Sequence, residues 1–133
     1  MKETYSVAVL GAGLMGHGIA QVFAQRGHSV NIYDPNKDVL NTVPMRVKNI
    51  CEQLDEDASC VERIKLHYTL KSAVAEVDIV IEAASEKLAI KKDIFSNLVA
   101  LCTKDTILAS NTSVIPITDI AQDLADDDAK RIV

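Results

Sequence analysis

The sequence predicts an α/β domain built on a doubly wound parallel sheet. Three observations carry this. Residues 5–10 form an apolar run that ends in Gly11-Ala-Gly13-Leu-Met-Gly16 and passes at once into a helical pattern. Two later apolar runs, 77–82 and 105–109, are nearly continuous in the way of strands buried on both faces. Between these runs, segments of helical period alternate with the strands, the pattern of a parallel sheet with crossover helices.

The first strand leads into the glycine turn and a helix over 14–26, stopped by Gly27, a favourable residue just past a helix end. A second strand covers 30–33. The stretch 36–54 reads as helical, with Asn36 as N-cap and Pro44 kinking or splitting it. An acidic turn over 55–57, a short helix over 60–63, a weak strand over 65–69 and a short helix over 71–75 follow. The strand 77–82 precedes a helix over 86–101, capped by Ser85, whose apolar positions Ile90, Ile94, Leu98 and Leu101 recur at helical spacing. After the strand 105–109 comes a polar turn, 110–113. Pro116 then opens a helix that runs to about residue 124, the acidic cluster 126–128 is a loop, and 131–133 begins a sixth strand. The expected strand order is 3-2-1-4-5-6. The connection of about thirty residues between strands two and three is a helical insertion projecting from the sheet.

The glycine turn points to a dinucleotide. Gly11 allows the sharp exit from the strand, Gly13 lets the backbone approach a pyrophosphate, and Gly16 permits close packing of the helix on the sheet. The pyrophosphate is expected at the helix N-terminus, where free N–H groups and the positive dipole end favour anions. Asp34 ends the second strand eighteen residues after Gly16, near the spacing of a ribose-binding carboxylate. The alternative reading of Asp34 is a strand-end acid capping the turn at Pro35 and Asn36.

Composition bounds the rest. The 133 residues suit one domain, 1–133, and the 48% apolar content suffices for a core. A net charge of −5 gives no electrostatic footprint for nucleic acid. No run of 18 apolar residues exists to span a membrane, and the N-terminus has no signal-peptide pattern. Cys51, Cys60 and Cys102 match no metal or redox spacing and read as reduced thiols of a cytoplasmic protein. His17 lies inside the glycine turn, within reach of a cofactor. Neither His17 nor His28 has a carboxylate at a useful spacing, none of His17, His28 and His67 is assigned to catalysis, and no metal site is expected.

The order of motifs resembles a known family. Gly11-Ala-Gly-Leu-Met-Gly-His-Gly-Ile-Ala20, the strand-end Asp34, Val80-Ile-Glu-Ala-Ala84, Glu86-x-Leu88-x-x-Lys91-x-x-x-Phe95 and Ser110-Asn-Thr-Ser113 are together similar to the N-terminal NAD-binding, Rossmann-type domain of the L-3-hydroxyacyl-CoA dehydrogenases. The resemblance covers nearly the whole chain. It implies NAD as cofactor, held by Gly11, Gly13, Leu14, Met15, Gly16, Asp34, Ala84, Glu86, Lys91, Asn111 and Ser113. It places Glu86 and Lys91 at the nicotinamide end and Ser113 in the catalytic site, beside the reacting oxygen of a 3-hydroxyacyl-CoA. For Lys91 alone, the plainer reading is an exposed helical lysine paired with Asp93 or Glu86. For Ser113, it is a loop hydroxyl capping the next helix.

Two departures shape the expectation. The family's base is a His in a His-Phe-x-Asn-Pro segment after the sixth strand, which would come after Val133. Its Glu partner and its C-terminal helical domain, which dimerises, would follow as well. The connection from Asp34 to Lys65 is also shorter than in typical acyl-CoA members, as in carnitine dehydrogenase and lambda-crystallin-like relatives. The expectation is therefore the NAD-binding domain of a cytoplasmic oxidoreductase of fatty-acid metabolism, homodimeric when whole. A carnitine or free hydroxy-acid dehydrogenase of the same fold is the first alternative. A non-catalytic NAD(H)-binding module is the second.

Overall fold

A computed structural model describes residues 3–133. Five strands, β1 Ser6–Leu10, β2 Ser29–Tyr33, β3 Ile64–His67, β4 Ile79–Glu82 and β5 Ile107–Ser110, form one sheet in the order β3-β2-β1-β4-β5. Every pairing is parallel. Ile132 makes a parallel bridge to Leu108 on the far side of β5. This is the beginning of a sixth strand in the expected position.

The period-2 alternation of the strands divides the core between two faces. Val7, Val9, Val30 and Ile32 point to one face, where Ala20 and Ala24 of helix α1 (Leu14–Gln25) cover them. Ala8, Leu10, Val80 and Leu108 point to the other, against Phe95 and Leu98 of α5 (Leu88–Leu101) and Val74 of α4 (Leu70–Val74). Helix α1 ends on paired bonds from Gly27 N–H to Ala24 O and from His28 N–H to Phe23 O, the closure that a glycine past the last turn favours.

The insertion consists of α2 (Lys37–Asn41), α3 (Val43–Gln53) and a 3₁₀ segment, Ala58–Arg63. Asn36 caps α2 through bonds from the Asp38 and Val39 N–H groups, and Pro44 sits in the first turn of α3, so the proline splits the stretch in two. The insertion does not project. Val43, Val47 and Cys51 of α3 are wholly buried in the α1 face of the core. A helix with one apolar stripe is stable only where that stripe is covered.

Three local expectations are corrected. Ser85 does not cap α5; its carbonyl accepts the Lys87 N–H, and Lys87 occupies the cap position with no side-chain cap bond. Pro116 precedes rather than opens α6, which spans only Ile117–Ile120. The acids 126–128 form the short helix α7 (Asp126–Ala129) instead of a loop. Three carboxylates in a first helical turn complement the positive end of the helix dipole.

The register aligns the functional edge. Leu10 pairs with both Tyr33 and Glu82, Tyr33 with His67, and Glu82 with Ser110. All five strands thus finish in one row, and Gly11, Asp34, Ala83 and Asn111 follow them at the carboxyl edge. The crevice between β1 and β4, where the winding reverses, is where open α/β sheets bind ligands.

Candidate functional site

The glycines at the end of β1 have distinct structural reasons. Gly11 adopts φ +106°, and a Cβ there would lie 2.6 Å from the Ala83 carbonyl oxygen. At Gly16 a Cβ would lie 1.7 Å from the carbonyl oxygen of Gly11, so the obstacle is the turn itself rather than the sheet. At Gly13 a Cβ would meet nothing within 4 Å. Gly11 and Gly16 make the turn possible, and Gly13 keeps open the space in front of it. Helix α1 starts after Gly13 with no side-chain cap and no acid in its first turn. Its leading N–H groups and positive dipole end suit an anion.

In front of this turn lies a cleft of about 860 Å³, a size typical of small-molecule sites. Of the expected residues, Gly11, Gly13, Leu14, Met15, Asp34 and Ala84 line it. Leu70 of α4 and Ile90 and Ile94 of α5 supply apolar walls. Asp34 combines both readings given to it. One carboxylate oxygen accepts the Asn36 N–H at 2.8 Å, and the other accepts the Ala12 N–H of the glycine turn at 2.9 Å. The carboxylate is held at the cleft wall by the turn it serves.

The end of β4 carries a buried charge cluster. Lys91 is 1% exposed, so the exposed-lysine reading is overturned. Its Nζ lies 2.7 Å from Glu82 Oε2 and 3.0 Å from Glu86 Oε1. Glu82, fully buried, also accepts the Ala84 N–H at 2.7 Å and the Ser110 hydroxyl at 2.6 Å. A buried carboxylate requires this degree of pairing. Glu86 is half-exposed and accepts the Thr112 hydroxyl at 2.9 Å. The Lys91 ammonium holds its carboxyl below the usual carboxylate range, with help from Thr112. The loops after β4 and β5 are thereby tied together. Asn111 donates its N–H to Glu82 O at 2.8 Å, and Ser113 is exposed on the same loop. Lys91, Glu86, Asn111 and Ser113 gather at the β4–β5 end, outside the walls of the main cleft.

The sequence pattern assigns no role to Glu82 or Ser110. The available signal was a carboxylate closing an apolar strand, which cannot remain buried without a cation. Arg46, also unassigned, reaches from α3 to donate to the Ala12 carbonyl at 3.0 Å.

The histidines are engaged elsewhere. His17 is 5% exposed, and its ring Nδ1 donates to Gly13 O at 2.7 Å, so it braces the turn instead of facing the cleft. His28 accepts the Tyr5 N–H, and His67 lies 3.0 Å from the Ser72 hydroxyl. The cysteines are free, with Cys51 and Cys60 buried 3.4 Å apart. Among the described residues no cluster of His, Cys, Asp and Glu could hold a metal ion, and no helix is long and apolar enough to cross a membrane.

Sheet order, glycine turn, strand-end acid and cleft define a dinucleotide-binding domain of the doubly wound α/β class. Residues 6–133 match the family described as "3-hydroxyacyl-CoA dehydrogenase, NAD binding domain". The chain belongs to this family, and its cofactor is NAD. It is 42% identical over 130 residues to a probable 3-hydroxybutyryl-CoA dehydrogenase of Bacillus subtilis, covering 90% of this chain and 44% of that protein. It is 33% identical over 129 residues to the L-carnitine dehydrogenase of Streptomyces griseus, covering 94% and 38%. Among solved structures, 3-hydroxybutyryl-CoA dehydrogenase of Escherichia coli superposes with a TM-score of 0.84 at 34% identity, over 96% of this chain and 28% of that one. The chain spans less than half the length of these relatives.

Proposed function

We propose that residues 1–133 form one domain that holds NAD(H) for an enzyme acting on the C3 hydroxyl or keto group of a 3-hydroxyacyl-CoA. The observation carrying this is the open space at Gly13, set before the uncapped start of α1 and beside Asp34. The pyrophosphate fits the turn, and the adenosine ribose fits Asp34. Leu14 and Met15, both largely exposed at the cleft, cover the dinucleotide. Bound NAD supplies hydride transfer, and the protein orients the reacting groups. In this reading Ala84, Glu86, Lys91 and Asn111 order the nicotinamide end, and Ser113 steadies the substrate oxygen. The buried Glu82 holds Lys91 in place.

A carnitine or free hydroxy-acid substrate is the second reading, favoured by the L-carnitine dehydrogenase among the relatives. The whole enzyme is proposed to be a homodimer, and to be cytoplasmic in keeping with the three free thiols.

Oxidation of an alcohol needs a base within hydrogen-bond reach of the hydroxyl proton. His17, His28 and His67 are each committed to partners away from the reacting end. The test is a steady-state assay of the 133-residue chain with NADH and acetoacetyl-CoA, alongside binding of NADH. Binding without turnover is expected, with acetoacetyl-CoA and not L-carnitine perturbing the bound NADH. Turnover near ~10 s⁻¹, an ordinary enzyme rate, would show that one of these residues supplies the base. Perturbation by L-carnitine alone would favour the second reading.

A further inference from the structure

The glycine turn is fixed one peptide at a time. The Gly11 N–H donates to Tyr33 O at 2.7 Å, and the Ala12 N–H to Asp34 Oδ2 at 2.9 Å. The Ala12 carbonyl accepts from Arg46 Nη1 at 3.0 Å. The Gly13 carbonyl accepts from the His17 N–H at 3.1 Å and the His17 ring at 2.7 Å. Four successive peptide groups are therefore each held at one pole at least. A peptide group is planar and rigid, so holding its carbonyl aims its N–H the opposite way. The N–H that shares a plane with the Ala12 carbonyl is that of Gly13, the residue with open space before it.

Four of these five bonds come from the end of β2, from Asp34 just past it, or from α1 itself. The bond from Arg46 comes from α3, in the insertion between β2 and β3, which also packs apolar side chains on α1. Arg46 is half-buried. A guanidinium is a rigid planar donor suited to holding a carbonyl in one orientation.

We propose that Arg46 is a positioning residue of the dinucleotide cradle. By holding the Ala12 carbonyl, it fixes the Gly13 N–H toward the pyrophosphate and makes the insertion part of the binding site. The inference rests on the NAD reading above. Removing the donor leaves the Ala12–Gly13 peptide free to tip, so the ligand must restrain that motion on binding, which lowers affinity. The effect acts through a hydrogen bond inside the protein. It therefore concerns any ligand with the pyrophosphate and does not depend on long-range attraction by the arginine charge.

Calorimetric titration of the chain and its Arg46→Met variant with NADH and with ADP-ribose tests this. The methionine keeps the apolar stem and removes every donor. The expected result is a loss of about tenfold, equal to ~1.4 kcal/mol, the same for both ligands. The loss should persist at about 1 M salt, where charges are screened within ~3 Å, with the thermal midpoint unchanged. A loss that vanishes at high salt would show direct attraction of the phosphates and overturn the positioning role, as would a loss seen only with NADH. If the Met variant does not fold, Arg46→Gln, two bonds too short to hold the turn, carries the same expectation. Wild-type affinity in the folded variant overturns this inference alone. Failure of the unmodified chain to bind either ligand overturns the NAD reading, and this inference with it.

Discussion

The Nζ of Lys91 lies 2.7 Å from the Oε2 of Glu82, with both side chains excluded from solvent. A buried pair of this kind contributes less to net stability than to fixing geometry, because desolvation offsets the attraction. Breaking it by removing one partner is costly, since the other charge stays behind. Lys91→Met is expected to destabilise the chain by about 3–5 kcal/mol, measured by urea denaturation. The double variant Glu82→Gln with Lys91→Met should recover part of that loss, since neighbours in one network are not additive. Additive losses would mean that the two groups do not share a charge interaction.

The glycines should separate by role. Gly16→Ala places a Cβ against the Gly11 carbonyl, a backbone atom that cannot move aside. It should cost about 3 kcal/mol or more. Gly13→Val fills only open space and should change stability by no more than about 1 kcal/mol, yet abolish NADH binding. Circular dichroism melting and a binding titration on the same samples would check both. A Gly13→Val variant that binds normally would show that the turn does not receive the pyrophosphate.

Glu86 links stability to pH. Its carboxyl is held below its ordinary value of 4.5, first by the hydrogen bond from Lys91 and further by Thr112. A carboxylate depressed in the folded state stabilises above its unfolded value, and that contribution disappears as pH falls through the folded value. Denaturation midpoints followed from neutral pH down through the carboxylate range should therefore decline more steeply in the wild type than in Glu86→Gln. Parallel curves would show that the Lys91 contact does not persist in solution.

The buried thiols should be inert. Burial, together with its hydrogen bond to Cys51, pushes Cys60 up to about 11. At pH 8 only about one part in a thousand is then thiolate, the reactive form. Iodoacetamide labelling followed by mass spectrometry should find Cys60 protected in the native chain and freely modified in urea. Its native rate should rise with pH well beyond that of a free cysteine. Rapid labelling at neutral pH would place Cys60 at an accessible surface.

The parts legible in the sequence were those dictated by local chemistry. The glycine turn, the strand-end Asp34, the Pro44 break and the buried apolar strands each follow from a few adjacent residues, and the structure places them as expected. Lys91 was not legible. Its helical position suits an exposed lysine, and only the approach of Glu82 and Glu86 across the β4–α5 connection explains its burial. Nothing in the sequence singles out Arg46, and His17 reads there as a residue within reach of a cofactor, because the partners of both are backbone carbonyls of the turn that no side-chain pattern announces. At the start of α5 the sequence offers Ser85 as a cap, because a serine before a helical run suits that place, whereas the observed loop turns on backbone bonds. The length of the insertion suggests projection, but its apolar stripe, Val43, Val47 and Cys51, draws α3 onto the core.

Asp34 tests the central claim most directly. One of its oxygens is bound to the glycine turn and the other to the Asn36 N–H, at the wall of the cleft, where we propose that the adenosine ribose sits. Ribose hydroxyls can donate to the lone pairs that remain, whereas a 2′-phosphate would meet its negative charge. Titration of the chain with NADH and NADPH is expected to give saturable binding of one NADH per chain. NADH should bind at least about tenfold more tightly than NADPH, a difference of ~1.4 kcal/mol, and Asp34→Asn should narrow that gap. Equal affinities for the two dinucleotides, or a preference for NADPH, would contradict the assignment of this cleft and of Asp34 within it.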